Sequence, residues 1–317
     1  MSGAPGGRLA RATQILLAGE IGLALFIAWL CWISLLPGKA VLMFALTPYL
    51  LLRAAVLGRC FQLAWQNRSR MKGENPRRPS MAWVRAALAE YLALPVIYSG
   101  LLPFEQWLVP QAPEPVSAGK GLPVVLVHGC CSNRAAWYFF ARLLQKLGVG
   151  PLYAVTLEPL LGPIEASAPR LSQLVEQICE ASGKPRVVLV GHGMGGLVCR
   201  MLVHSSFGQK RVARVITLGS PHQGTAVVRD VEQYGENLRQ MTLQSKWSAR
   251  MAVFERVASP LPIVAVLSPQ DELIAPQQNG ALRYPNAQNF VFKGLGHFEL
   301  LLSRKVAKAI APLLQQA

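Results

Sequence analysis

Hydrophobic residues change their spacing twice along this chain, and those changes divide it. Residues 12–36, ATQILLAGEIGLALFIAWLCWISLL, carry one charge, Glu20, in 25 positions. At about 1.5 Å per residue, a helix of that length exceeds the ~30 Å hydrocarbon core of a bilayer. A second apolar run, AVLMFALTPYLLLRAAVLG at 40–58, is interrupted by Pro48 and Arg53, and PGK at 37–39 supplies a turn between the two runs. The pattern predicts a membrane anchor over residues 1–60, of one or two transmembrane helices. The first run is long for a signal peptide, lacks a small-residue cleavage site and is followed by more apolar sequence, so an uncleaved anchor is expected. Residues 81–110 are apolar with scattered charges and fit either a membrane-surface helix or a helix packed on the next domain. QAPEPVSAGKG at 111–121 reads as linker, making 61–120 a basic, partly helical juxtamembrane connector.

From residue 122 the pattern becomes short apolar runs alternating with helical stretches. LPVVLVHG, LYAVTLEP, PRVVLVGH, VARVITLGSP, LPIVAVLS and QNFVFKGLG are six candidate strands. Continuous Val, Ile and Leu runs suit strands covered on both faces, as parallel strands are. The predicted fold class over 121–317 is therefore α/β, with a mostly parallel central sheet flanked by helices.

Charge sharpens this division. Formal net charge is +16, and through Arg85 there are eleven Lys/Arg against two acids, Glu20 and Glu74. The excess sits beside apolar runs, without zinc-finger spacing or aromatic-interleaved basic strands. It therefore predicts anionic lipid headgroups as the partner and excludes nucleic acid. Only Lys39 lies between the two runs, while Arg8 and Arg11 precede them and Arg59, Arg68, Arg70, Lys72, Arg77, Arg78 and Arg85 follow. Two spans would then put both basic ends, and the α/β domain, on the cytoplasmic side. The six cysteines show no paired framework and no CxxC spacing, and a reducing compartment fits them.

Candidate chemistry gathers at strand ends. GHGMGG at 191–196 ends one strand and begins a helix, where a sharp turn lifts one residue above the sheet. That residue is Gly193. Met194 opens the helix, so its backbone N–H is free to face an oxyanion, and Cys130, after LVHG, offers a second N–H. Neither a P-loop lysine nor a GxGxxG pattern accompanies the turn, which argues against phosphate. Asp271 follows PIVAVLS and His297 follows NFVFKGLG, both just past strands, where open α/β sheets place their sites. Glu272 and Glu299 are neighbouring carboxylates. His128, His192 and His222 sit at strand ends or turns, His204 lies in a helix, and no set of them has metal-triad spacing, so no metal and no cofactor is expected. The segment 226–259 between two core strands is longer than a crossover needs, and reads as a cap or as an ordinary solvated helix pair.

The order strand–HG, strand–GHxMGG, LGSPHQGT, SPQDELIAP and GLGHFELL resembles the α/β-hydrolase superfamily, bacterial lipases and esterases in particular. The resemblance covers about residues 120–317. It implies an α/β-hydrolase fold acting on carboxyl esters of lipid-like or acyl substrates. It also implies a nucleophile at position 193, the acid Asp271, the base His297 and an oxyanion hole from Cys130 and Met194. His128 and His192 would shape loops, and the 226–259 insertion would cap an acyl pocket.

Position 193 departs from the family. Glycine has no Oγ, so a serine acyl-enzyme cannot form there. The departure leaves four readings: a non-catalytic pseudo-hydrolase that binds a hydrophobic ligand or a protein; water activated by His297 and Asp271; a substitute nucleophile among Cys130, Cys131, Ser132 and Ser220; or a recent or introduced change. The overall expectation is a lipase-like protein in a bacterial-type inner membrane, with activity reduced, water-mediated or absent.

Overall fold

The computed structural model describes residues 7–33, 38–69, 79–256 and 259–316. Pro37 of the expected turn and the basic positions Arg70, Lys72, Arg77 and Arg78 lie outside them.

The two amino-terminal runs form helices α1 (Gly7–Ile33) and α2 (Gly38–Gln66). Pro48 does not end α2, which continues as one helix. A proline costs one i→i−4 bond, and neighbouring groups in a helix pair can absorb that loss. Helix α1 displays Ile15, Leu16, Leu23, Leu25, Phe26 and Trp29 on its surface. Its one acid, Glu20, lies 3.9 Å from Arg53 of α2, so the charge in each run faces the other.

Residues 81–110 begin with helix α3 (Met81–Tyr98), which packs one face on the protein and leaves Met81, Leu88 and Leu92 exposed on another. Residues 8–29 and 81–108 are each long and apolar enough to cross a membrane, but a third of the second is buried inside the protein, against 6% of the first. Trp83, Ala86, Glu90, Ala93 and Ile97 make the buried stripe, at the three-to-four spacing of one helix face. The short helix α4 (Glu105–Leu108) follows.

The α/β unit runs β1 (Val124–Val127), α5 (Tyr138–Lys146), β2 (Leu152–Val155), α6 (Ile164–Ser182), β3 (Val187–His192), α7 (Met194–Val203), α8 (Ser206–Arg211), β4 (Val212–Leu218), α9 (Glu236–Gln240), α10 (Lys246–Phe254), β5 (Ile263–Leu267), β6 (Gln288–Val291) and α11 (Arg304–Gln315). All six expected strands are present, and every pairing is parallel in the order β2-β1-β3-β4-β5-β6. Alternate residues feed two cores. Val124, Leu126, Val188, Val190, Ile216 and Leu218 face α3, α5 and α11, whereas Val125, Val127, Leu189 and Val215 face α6, α7 and α10. Strand order reverses at β1, so the crevice between the carboxyl ends of β1 and β3 is where this architecture places a ligand.

Candidate active site

The turn after β3 is built by close packing. A Cβ at Gly195 would overlap the carbonyls of Val127 and His128, and one at Gly191 would lie 2.5 Å from the Gly196 amide. Both are backbone contacts that cannot move aside, so α7 can sit against β1 and β3 only with glycine at these positions. Gly193 takes φ 53° and ψ −123°, a conformation that side chains adopt only under strain. A Cβ there would lie 3.3 Å from His297 Nε2, a tight contact that points a side chain at the ring and asks the ring to give by a few tenths of an ångström.

On the other side of that ring, His297 Nδ1 lies 3.0 Å from Asp271 Oδ2. The Asp271 carboxylate is fixed in turn, because its Oδ1 accepts the Leu273 and Ile274 amides at 2.9 and 3.1 Å. Asp271 is 1% exposed and His297 6%, so their attraction is little screened by water. Burial works against a charged imidazole, but the Asp271 carboxylate and its hydrogen bond outweigh it and hold His297 above the ordinary histidine value. The structure thus brings positions 193, 271 and 297 together.

Glu272 stands behind the ring, where its Oε2 accepts the His297 amide at 3.0 Å. Burial, then the neighbouring Asp271 charge, push its carboxyl up to about 7. Glu299 turns away to pair with Arg85 at 2.6 Å. His192 meets the His297 carbonyl at 3.2 Å through Nε2, and burial holds its ring well below the ordinary range, so it stays neutral and donates. His128 accepts the Leu157 amide at 2.9 Å, tying the β1 end to the β2 end. His222 shares a hydrogen bond with Thr217, and His204 stacks on Phe254 with ring centroids 4.2 Å apart. These four rings brace loops and helices. Among the described residues no cluster of three or more His, Cys, Asp or Glu could hold a metal ion.

Cys130 and Met194 line one pocket of about 200 Å³ together with Gly193. Among the described residues, neither backbone amide donates to a backbone carbonyl, and the first amides of α7 have no acceptor within the helix. Cys131 and Ser132 line the same pocket, whereas Ser220 does not. Most of the rest of the wall is apolar, with Tyr98, Val227, Val228, Leu238, Met241, Leu273, Ile274 and Phe298, beside the polar Thr225 and His192. Four of these, Val227, Val228, Leu238 and Met241, come from the 226–259 insertion, which therefore forms part of the cavity wall. From α9, Asn237 Nδ2 donates to Met194 Sδ at 3.2 Å and to the Leu160 carbonyl at 2.9 Å. A wider surface groove of about 720 Å³ runs along α9 and α10 and is lined by Glu236, Arg239, Lys246 and Arg250, away from position 193.

The loop carrying Cys130 is anchored by residues that spacing alone did not single out. Asn133 caps the following turn by accepting the Ala135 amide at 3.0 Å, and donates to the Leu102 carbonyl at 3.0 Å. Arg134, 5% exposed, pairs with the equally buried Glu105 of α4 at 2.6 Å and donates to the Val109 carbonyl.

A parallel six-stranded sheet, a tight strand-to-helix turn at its switch point, and an acid–imidazole pair carried by later strands define the α/β-hydrolase architecture. The chain has that fold, and over part of its length it is similar to lipases and esterases. A family model described as a PGAP1-like alpha/beta domain matches residues 169–281. Curated relatives include triacylglycerol lipases of Pseudarthrobacter phenanthrenivorans and Burkholderia plantarii, each 33% identical over 117 residues and 34% of this chain. The chain spans only 35% and 32% of the length of those two relatives. Among solved structures, the mature lipase BlEst2 of Bacillus licheniformis superposes with a TM-score of 0.53 at 18% identity, covering 64% of this chain and 96% of that one. Aspergillus fumigatus lipase B gives 0.52 at 16% identity, covering 60% and 51%. At these identities the superpositions describe the fold.

Proposed function

We propose that this site takes carboxyl esters of lipid-like or acyl substrates, and that it works without a covalent serine step. The carrying observation is the 3.3 Å between the Cβ position of Gly193 and His297 Nε2, with Asp271 on the far nitrogen. In the proposed reaction, a water molecule beside Gly193 gives its proton to His297 Nε2 as its oxygen attacks the ester carbonyl carbon. The tetrahedral oxyanion is met by the Cys130 and Met194 amides. Collapse of that intermediate breaks the bond to the alcohol, which leaves with the proton held on His297. Sites that lose a triad member retain about 10³- to 10⁴-fold acceleration over water, and this sets the scale expected here.

A second reading, a non-catalytic pseudo-hydrolase that holds an acyl ligand, is favoured by the same missing Oγ together with the apolar wall. The two part on one comparison. A serine-directed fluorophosphonate should leave the unmodified protein unlabelled and label Gly193→Ser, which should also hydrolyse short-chain esters. Ester turnover by the unmodified protein that disappears in His297→Ala supports the water route. Binding without turnover supports the pseudo-hydrolase, and a Gly193→Ser protein with neither labelling nor turnover contradicts both roles of the amide pair.

We further propose that residues 1–60 anchor the protein in a bacterial-type inner membrane, with 61–120 a connector at anionic headgroups and 121–317 the hydrolase domain under a cap at 226–259. The domain would lie on the cytoplasmic side, as the Lys/Arg distribution argues. Reporter fusions at the two termini test it, and opposite sides for the two ends would contradict it.

A further inference from the structure

The loop that presents His297 is held from outside the α/β unit. Helix α3 meets it at several consecutive points. Arg85 donates to the Gly294 carbonyl and makes a paired contact with Glu299, at 3.0 Å to Oε2 and 2.6 Å to Oε1. One turn further along, Glu90 Oε1 accepts the Glu299 amide at 2.7 Å. A Cβ at Gly296 would overlap the Glu90 side chain, so the loop backbone lies directly against it. At the end of α3, Tyr98 packs edge-on against Phe298 with ring centroids 5.5 Å apart. Helix α3 is braced in turn by α2, through Tyr91 to the Leu50 carbonyl at 3.1 Å and Arg53 to Ser99 at 2.7 Å.

Glu90 is the unusual member of this set. It is fully buried, on the stripe that otherwise carries Trp83, Ala86, Ala93 and Ile97, and its Oε2 has no hydrogen-bond partner. A glutamate costs much more there than an apolar residue unless the contact it makes is needed. Helix packing alone would be served by leucine. What leucine cannot do is accept the Glu299 amide two residues past His297.

We infer that Glu90 is a positioning residue for His297: by holding the 294–299 backbone from α3, it fixes the ring between Asp271 and position 193. The amino-terminal helices are then part of the site's geometry as well as its attachment. This rests on the Asp271–His297 pairing described above, though not on ester turnover.

The groups around the ring are Asp271 and Glu272 after β5, His192 at the end of β3, Glu299 in the loop itself, and Glu90 and Arg85 on α3, with Cys60 of α2 beyond Glu272. Burial, then the Glu272 charge, push the Glu90 carboxyl well above the ordinary carboxyl range. Glutamine keeps its shape and an acceptor oxygen for the Glu299 amide, without a carboxyl.

The test is a titration of the His297 ring by NMR in the full chain labelled at its five histidines, with the signal assigned by its loss in His297→Gln. The expected midpoint for the unmodified protein lies above 6.5. Glu90→Gln should keep that midpoint and line shape. Glu90→Ala should lower the midpoint toward the ordinary histidine value and broaden or split the signal. Arg85→Ala, whose side chain is 56% exposed and whose fold is not at risk, should shift it in the same direction by less. Wild-type titration in both alanine variants would overturn the inference, as would Glu90→Gln behaving like Glu90→Ala, since charge alone would then explain the shift. Should Glu90→Ala fail to fold, Arg85→Ala decides. In the Gly193→Ser background, Glu90→Ala should lower kcat about 10- to 100-fold with KM unchanged, the scale of a misplaced reacting group. An inactive Gly193→Ser protein would remove the hydrolase reading and leave the ring titration, and this inference, standing.

Discussion

Gly193 concentrates two opposing preferences in one residue. Its backbone angles are ones glycine adopts cheaply and serine only under strain, of order 1–3 kcal/mol for such a position. Gly193→Ser should therefore lower the melting temperature while creating ester hydrolysis, a trade between stability and activity read by calorimetry and by turnover of a short-chain ester. The pH profile of that variant should place the acidic limb of kcat/KM above 6.5, because Asp271 holds His297 protonated to higher pH than an isolated imidazole. A limb below 6.5 would contradict the buried ion-paired ring. Glu272 adds a stability effect with a definite sign. Its proton is bound more tightly in the folded protein than the ordinary value of 4.5, with a folded value of about 7. The stabilisation is thus complete below about pH 4.5 and lost as pH rises through 7. Thermal melting should fall across that window, and Glu272→Gln should flatten the fall.

At the scale of elements, the sheet was legible because each strand is a bare apolar run bounded by turn residues, and the glycines of GHGMGG marked the one place where β3, α7 and β1 touch through backbone. Gly195→Ala should cost several kcal/mol, since the new methyl meets the Val127 and His128 carbonyls and neither can withdraw. A change in melting temperature under about two degrees would show that the turn is looser than described. Asp271 and His297 were also legible, because both stand one turn past a strand. Glu90, Asn133, Arg134 and Asn237 were not. Their partners are backbone groups and side chains brought close only by the fold: Glu299 for Glu90, Leu102 for Asn133, Glu105 for Arg134, and Met194 and Leu160 for Asn237. A glutamate on the apolar face of 81–97 was the single local sign that α3 serves the site. Asn237→Ala, which frees α9 from Met194, should loosen α9 first, seen as faster amide exchange over that helix with the sheet unchanged.

Across the whole molecule, apolar pattern alone did not distinguish a helix with an exposed apolar surface from one packed partly on the protein. Residues 8–29 and 81–108 have similar hydropathy, 1.6 and 1.4, but a third of the second is buried inside the protein, and it carries the contacts to the loop that presents His297. Helices α1, α2 and α3 form a continuous path from the exposed apolar surface of α1 to the loop after β6. The account as a whole depends on one arrangement: a backbone cradle for negative charge on one side of position 193 and an acid-held imidazole on the other. Ester hydrolysis by purified Gly193→Ser, alongside Gly193→Ser/His297→Ala, tests it most directly. The account predicts turnover in the first that the second loses. A Gly193→Ser protein that is folded yet inert, or turnover that survives without His297, would contradict it.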